Sequence, residues 1–133
     1  MDTKQTIRHI LLSQYGEPEN LHLMDTPLPK PGPGQVLIKV EAAGMNNADT
    51  LRRRNIYFMP TPLPYVPGSE VVGTVEEVGE YVDLPTGIHV LAILPDGGGY
   101  AEYTFAQAEY CVPLPPHIGA AQATALFVQG TTA

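Results

Sequence analysis

Proline and glycine interrupt this sequence so often that long helices are excluded over most of its length. The chain of 133 residues contains 14 prolines and 13 glycines, spread between short apolar stretches rather than gathered in one block. Proline cannot donate a backbone hydrogen bond, and glycine favours turns. The pattern therefore predicts many short strands joined by turns, within one domain that has a real core.

The apolar stretches between these breakers predict the strands. The clearest is Gln35–Ala43, in which Val36, Ile38 and Val40 share one face, as in a half-buried strand. A second contains Gly73, where we expect another backbone to come close. The remaining strands are predicted at 6–13, 21–25, 70–78, 88–94, 100–105 and 110–112. Short strands at near-even spacing predict a mainly β fold, a twisted and partly closed β-barrel.

One short helix is predicted before the C-terminal region, at 46–54. Asn46 or Asn47 is suited to its N-cap, and Asp49 lies in the first turn, where the helix dipole favours an acid. Asn55 is suited to a left-handed C-cap. A second helix is predicted at 118–129, where alanines are frequent.

The arginines at 52–54 close the first helix at the end that favours cations. We interpret this run as a solvated helix end, as most charge runs are, and contact with an anionic cofactor group is the alternative. The prolines that follow, at 60, 62, 64 and 67, predict a stiff loop without regular structure.

Charge and cysteine content narrow the classes of function. The formal net charge of −7 argues against a nucleic-acid partner, which would require a basic surface. We see neither a basic and apolar leader nor an apolar run long enough to span a membrane. Cys111 is the single cysteine, so no internal disulfide forms. These features predict a soluble, cytoplasmic protein without a membrane partner.

Two segments carry motifs. Residues 64–79 include Gly68, Glu70 and Gly73, and they resemble the Gly-His-Glu-x-x-Gly signature of the medium-chain dehydrogenase/reductase superfamily, with Ser69 at the histidine. Residues 42–49 resemble Gly-x-Cys-x-x-Asp of the same superfamily, with an asparagine at the cysteine. In zinc-dependent members that histidine and that cysteine are metal ligands.

The substitutions at these two positions predict that no zinc binds. Zinc needs about three side chains that offer imidazole nitrogen, thiolate or carboxylate. The carboxamide of Asn46 and the hydroxyl of Ser69 are poor replacements. The four histidines are scattered without metal-ligand spacing. The sequence therefore resembles the zinc-independent quinone oxidoreductase branch, in which Gly-x-Asn-x-x-Asp is the usual form.

This resemblance covers the whole chain and implies a domain organisation. Residues 1–133 would form the GroES-like catalytic domain, ending in a connecting helix. In the family a Rossmann domain follows, but no G-x-G-x-x-G fingerprint occurs here. The resemblance implies that the complete enzyme uses NADPH, which this chain alone would not bind tightly. We also expect the complete protein to be a homo-oligomer.

The resemblance also implies site residues. Asn46 would hydrogen-bond a carbonyl of the substrate or of the nicotinamide, although an N-cap needs no such role. Tyr57 would donate a hydrogen bond to a substrate oxygen, or is simply a packed aromatic. Asp49 would orient Asn46 or a substrate group, or serves the helix through its dipole or by pairing with Arg53. Gln129 would line the nicotinamide pocket.

Other residues complete the set of candidates. Thr132 is a second nicotinamide-lining residue by resemblance. Without a metal, Glu70 is expected to hold its loop through backbone donors. His89 replaces a residue of the family's usual Gly-Asp-Arg-Val turn, so the ion pair typical of that turn is in doubt. Cys111, in an apolar strand, is interpreted as a small buried hydrophobe.

The function implied is hydride transfer to a quinone or an α,β-unsaturated carbonyl. Negative charge that develops on the substrate oxygen would be stabilised by donors such as Asn46 and Tyr57. Two alternatives stay open. The chain could be an interaction module without activity, because a barrel without its cofactor domain exposes the apolar cleft face. The complete protein could also be an enoyl reductase of the same superfamily.

Overall fold

The computed structural model describes residues 6–28, 30–115, 117–119 and 122. Strands β1 (Thr6–Leu12) and β2 (Leu21–Pro27) pair antiparallel. The larger sheet has five strands, which are β3 (Gln35–Ala43), β4 (Glu70–Val78), β5 (His89–Ile93), β6 (Tyr103–Gln107) and β7 (Cys111–Pro113). Their order is β6-β3-β4-β5-β7, and each pair is antiparallel. Helix α1 (Asn47–Arg53) follows β3, and short 3₁₀ turns occupy Pro18–Asn20 and Ala108–Tyr110.

The core lies on the inner face of the five-stranded sheet. Strand β3 alternates toward this face, whereas β4 and β5 bury consecutive apolar residues, so that Val72 and Leu91 form a second small cluster. The branched side chains with no exposed surface include Val36, Ile38, Val71 and Val90. Burial of such side chains is worth about 1.5–3 kcal/mol each, so the sheet is the stable foundation of the molecule.

The β1–β2 hairpin joins the rest of the fold through backbone bonds from β1 to the loops before β4 and β6. Leu12 and Tyr65 exchange two bonds, at 2.7 and 3.0 Å, and Ile10 N–H donates to the Tyr100 carbonyl at 2.8 Å. The Arg8 carbonyl accepts a hydrogen bond from Glu102 N–H at 2.9 Å. These contacts curl the structure into a barrel that stays partly open, and the predicted fold class is confirmed.

Most predicted elements are found at their predicted positions. Strands β3 and β4 have the predicted bounds, and α1 follows Asn46 as N-cap. Asn55 takes the left-handed conformation, with φ of 60°. Gly73 is needed for the predicted close approach, because a Cβ there would lie 2.1 Å from the Lys39 carbonyl oxygen.

One strand is shifted from its predicted position. Strand β6 was expected at 100–105 but covers Tyr103–Gln107. The Tyr100 carbonyl and the Glu102 N–H bond to β1, as described above, and the Glu102 carbonyl accepts a single bond from Val40 N–H of β3 at 2.9 Å. Continuous pairing with β3 begins only at Tyr103, opposite Lys39.

The described helices include none that is long and apolar enough to cross a membrane. The second predicted helix, at 118–129, lies almost wholly outside the described residues.

Candidate functional site

Asn46 sits at the junction between β3 and α1. Its backbone is extended, with φ of −131° and ψ of 157°, as the N-cap prediction requires. Its N–H donates to Asp49 Oδ2 at 2.9 Å, and Asp49 N–H donates to the Asn46 carbonyl at 3.0 Å. These reciprocal bonds close the first turn of the helix and hold the Asn46 side chain beside the start of β4.

The Asn46 side chain points at a buried acid. Its Nδ2 donates to Oε1 of Glu70 at 3.4 Å, and Glu70 is 1% exposed. Gly44 makes room for this acid, since a Cβ at Gly44 would lie 2.1 Å from Glu70 Oε1. The expected backbone donors to Glu70 stay a prediction, and the donor that the structure shows is the Asn46 side-chain amide.

Asp49 receives a second donor, a hydroxyl, from a distant part of the chain. Tyr100 Oη donates to Asp49 Oδ2 at 3.0 Å. Burial raises the pKa of Tyr100, and the neighbouring Asp49 carboxylate raises it further, so the phenol stays protonated. The alternative pairing of Asp49 with Arg53 does not form, because Arg53 donates instead to the Gly16 carbonyl. Asn46, Asp49, Glu70 and Tyr100 are called the buried cluster below.

Sequence reasoning missed Tyr100, which lies 51 residues beyond its partner. A signal was present in the glycines that precede it. Gly99 N–H donates to the Gly68 carbonyl at 3.0 Å, and a Cβ at Gly68 would lie 2.8 Å from Gly99 Cα. The loop that contains Gly68 and the loop that contains Gly99 therefore contact each other through their backbones, and this contact positions Tyr100 beside α1.

A depression of about 220 Å³ opens beside the buried cluster. Three members of the buried cluster line it, together with apolar side chains. This combination suits a small ligand with one polar end. Among the lining residues are Met45, Asn46, Asp49, Thr50, Pro67 and Tyr100.

Tyr57 does not line this depression. Its ring packs on the Arg52 guanidinium, 4.5 Å from ring centre to Cζ, and its centre lies 4.5 Å from that of Phe58. The interpretation of the arginine run as a solvated end is wrong for Arg52, which is 8% exposed. Arg54 alone of the three is exposed, and Arg53 is half-buried. Gln129 and Thr132 lie outside the described residues.

A second polar group crosses the surface of the sheet. Glu41 Oε1 accepts the Thr74 hydroxyl at 2.8 Å, and Glu41 Oε2 lies 2.8 Å from His89 Nε2. His89 therefore contacts an acid of β3 rather than a partner within its own turn. Glu41, Thr74 and His89 are called the surface cluster below.

Cys111 packs against the core, and burial raises the pKa of its thiol to about 11. This agrees with the interpretation of Cys111 as a small hydrophobe, since the thiolate is the reactive form.

The donor set around Asn46 does not fit zinc. A carboxamide and the Ser69 hydroxyl stand at the positions where the zinc-dependent motifs carry ligands, and the acids in contact with Asn46 are Asp49 and Glu70. Within the ranges that the structure describes, no three residues among His, Cys, Asp and Glu gather in a way that could hold a metal ion.

Comparison with known proteins gives a consistent result. Residues 32–116 match the alcohol dehydrogenase GroES-like domain family. The quinone oxidoreductase of Mus musculus is 38% identical over 132 residues, 98% of this chain. The structure of quinone oxidoreductase from Coxiella burnetii superposes with a TM-score of 0.87 at 32% identity, over 96% of this chain and 43% of that one.

A further neighbour bears on the cofactor. Escherichia coli quinone oxidoreductase, solved in complex with NADPH, has a TM-score of 0.87 and 29% identity, over 95% of this chain and 38% of that one. The chain spans 40% of the length of the Mus musculus relative.

Proposed function

Because this chain belongs to the alcohol dehydrogenase GroES-like domain family, we propose that residues 1–133 form the substrate-binding domain of an NADPH-dependent, zinc-independent oxidoreductase. The substrate would be a quinone or an α,β-unsaturated carbonyl. A Rossmann domain, beyond the part of the relatives that this chain matches, would bind most of the cofactor. We further propose that the complete protein is a cytoplasmic homo-oligomer.

The observation that carries this proposal is the placement of the Asn46 amide. An amide nitrogen has two hydrogens, and Glu70 accepts one of them. The other is suited to a ligand oxygen in the depression that Asn46 lines. Glu70 is buried and fixed beside Gly44, so it holds the amide in one orientation before a ligand arrives. A preorganised donor of this kind stabilises charge that develops on a substrate oxygen.

The proposed reaction places each group in a role. NADPH, when bound, supplies a hydride to the electrophilic carbon of the substrate. Asn46 donates to the substrate oxygen as negative charge develops there, and water or a nearby hydroxyl then supplies the proton. Asp49 fixes the Asn46 backbone. Apolar side chains such as Met45 and Pro67 line the depression beside these polar groups and would contact the apolar part of the substrate.

Three other residues have proposed roles that rest on the family resemblance. Tyr57 would donate from the loop after α1, where the Arg52 guanidinium supports its ring. Gln129 and Thr132 would contact the nicotinamide.

The test uses the complete protein with NADPH and 1,4-benzoquinone, following hydride transfer by stopped flow. We expect Asn46→Ala to lower turnover by about 100-fold or more, as loss of one preorganised donor typically does. If Asn46 only caps the helix, the same variant would lose about 1 kcal/mol of stability and keep its turnover.

Two variants sharpen this test. Asn46→Ser keeps a capping side chain but lacks the amide, so we expect normal melting with impaired turnover. Tyr57→Phe removes the hydroxyl and keeps the ring on Arg52. Full activity in both variants would remove both residues from the proposed mechanism. Elemental analysis should also give well under one zinc per chain after chelation, because the donors at positions 46 and 69 are poor zinc ligands.

An interaction module is the second candidate, and exposed apolar side chains favour it. Met45 is 78% exposed and Phe58 is 82% exposed, near the two ends of α1. Such side chains suit a surface that is covered by another domain or protein. A complete protein that oxidises no NADPH with a quinone, an enone or an enoyl thioester would favour this candidate. Activity with the enoyl thioester alone would identify an enoyl reductase.

A further inference from the structure

A pocket separate from the Asn46 depression lies beyond the C-terminal end of α1. Its volume is about 400 Å³, within the range of about 300–1,000 Å³ that small-ligand sites occupy. One wall is apolar and rigid, since it contains alternate prolines at 60, 62 and 64. Arg52 and Tyr65 also line the pocket, and Asp96, which is exposed, lies at its rim. The pocket therefore combines an apolar body with one buried cation.

Arg52 is the unusual member of this lining. It is 8% exposed, and its guanidinium lies 4.5 Å from the ring centre of Tyr57 and 5.7 Å from that of Tyr65. It donates to the Pro95 carbonyl at 3.2 Å and to the Thr61 hydroxyl at 3.5 Å. Throughout the described ranges, no carboxylate lies within ion-pair distance of it.

Within the described part of the chain, the positive charge of Arg52 is therefore buried without a carboxylate beside it. A buried charge is expensive unless it is paired, and ring faces with neutral acceptors compensate it only in part. A guanidinium has five N–H donors, and two are used in the bonds just described. An anion in the pocket would supply the missing counter-charge.

We propose that this pocket binds a small monocarboxylate with an apolar body, through the guanidinium of Arg52. The planar guanidinium matches a carboxylate in a bidentate pair. One cation suits a singly charged ligand, whereas a phosphate dianion would need more donors. The proline wall and the ring of Tyr65 suit an apolar or aromatic body. The inference concerns binding and does not rest on the proposed reaction.

The first experiment titrates the ¹⁵N-labelled chain with benzoate and with benzamide, its neutral analogue. The net charge of −7 disfavours anions in general, so saturable benzoate binding requires a local cation. We expect benzoate to bind at least about tenfold more tightly than benzamide, with shifts at the amides of Gly97 and Gly98. Equal binding of the two compounds, or no saturation by about 20 mM benzoate, would overturn the proposal.

Matched variants assign the effect to Arg52. Arg52→Met should weaken benzoate binding by about tenfold or more, whereas Arg54→Met, an equal loss of charge at the exposed helix end, should change it less than about twofold. Asp96→Asn should tighten it about twofold by removing a repulsive rim charge. Equal losses in Arg52→Met and Arg54→Met would show that the attraction is only long-range.

A further variant keeps the test decisive if Arg52→Met does not fold. Arg52→Lys retains the charge but loses the planar fork, and we expect about threefold weaker benzoate binding with the same shifted amides. Unchanged affinity in this variant would contradict the bidentate contact. Inorganic phosphate is the comparison ligand, and tighter binding of phosphate than of benzoate would overturn the carboxylate assignment.

Discussion

The buried cluster and the surface cluster meet at the same strand and use the same kinds of bond. Glu70 and Thr74 are four residues apart in β4, so both side chains lie on one face of the sheet. In each cluster a carboxylate accepts a bond from a hydroxyl or an amide. Glu70 is 1% exposed, however, whereas the Glu41 side chain is 41% exposed.

Burial, rather than bond length, separates the two clusters. The bonds to Glu41 are 2.8 Å and the Asn46–Glu70 bond is 3.4 Å, so geometry alone would rank the surface cluster as the stronger. Water competes for the exposed acid and not for the buried one. Loss of a buried partner therefore incurs a desolvation cost, while an exposed pair is worth little. The buried cluster should set the position of Asn46, and the surface cluster should add only local support.

The largest effect is expected for Gly44→Ala. Its Cβ would lie 2.1 Å from Oε1 and 2.7 Å from Cδ of Glu70, which is enclosed and has little room to move. Overpacking of this kind costs up to about 3 kcal/mol of unfolding free energy. Urea denaturation would measure the loss.

Gly32→Ala is the matched control, because its Cβ would meet only the end of the Gln35 side chain, at 3.2 Å. We expect this variant to stay within about 0.5 kcal/mol of the parent chain. Equal stability of the two variants would contradict the view that Glu70 is held rigidly.

Tyr100→Phe should have the next largest effect. It removes the hydroxyl that Asp49 Oδ2 accepts at 3.0 Å and leaves a carboxylate that is 8% exposed with one donor fewer. Hydrogen bonds to charged groups are worth about 1.5–3 kcal/mol, so we expect a loss of about 2 kcal/mol. Tyr81→Phe, at a side chain that is 90% exposed, should be neutral and serves as the control.

Tyr100 also makes the stability that the buried cluster contributes depend on pH in the alkaline range. Burial and the Asp49 carboxylate raise the pKa of Tyr100 above its ordinary value of 10.0. The contribution to stability is therefore complete below pH 10.0 and declines as the pH rises above it, because the unfolded state ionises first. Thermal melts from pH 9 upward should fall more steeply in the parent chain than in Tyr100→Phe. Parallel curves would show that Tyr100 is not buried against Asp49.

The elements that were predicted well are those set by nearby residues. Alternation within Gln35–Ala43 fixes β3, and the N-cap, first-turn acid and left-handed Asn55 fix α1. Asn46 and Asp49 fall within one helical turn, so their contact follows from local geometry. These features need no knowledge of the rest of the fold.

The errors arise where residues distant in the sequence determine the local structure. Strand β6 starts three residues late: the Tyr100 carbonyl and the Glu102 N–H bond to β1, more than 90 residues earlier in the case of Arg8 and Glu102, and continuous pairing with β3 begins only at Tyr103. Arg52 is buried because carbonyl and ring partners arrive from residues 57 to 95. Helical propensity and charge patterning describe neither contact, so the composition of the site could be only partly predicted.

The smallest effect is expected for Glu41→Gln in the surface cluster. Burial is the largest single influence on Glu41 and raises its pKa, but the Thr74 hydroxyl, His89 and Lys39 together outweigh it, so the pKa lies below its ordinary value of 4.5. A lowered pKa stabilises the folded chain above pH 4.5, and this contribution is lost as the pH falls further. Because the pair is exposed, we expect a loss of only about 0.5 kcal/mol at neutral pH and low salt, and less at high salt.

Glu76→Gln removes the same charge from an exposed site on β4 and controls for net charge. A loss as large as that of Tyr100→Phe would contradict the comparison. Equal losses at both sites would mean that water competes no more for the exposed Glu41 than for the buried Asp49, and exposure would then not separate the two clusters.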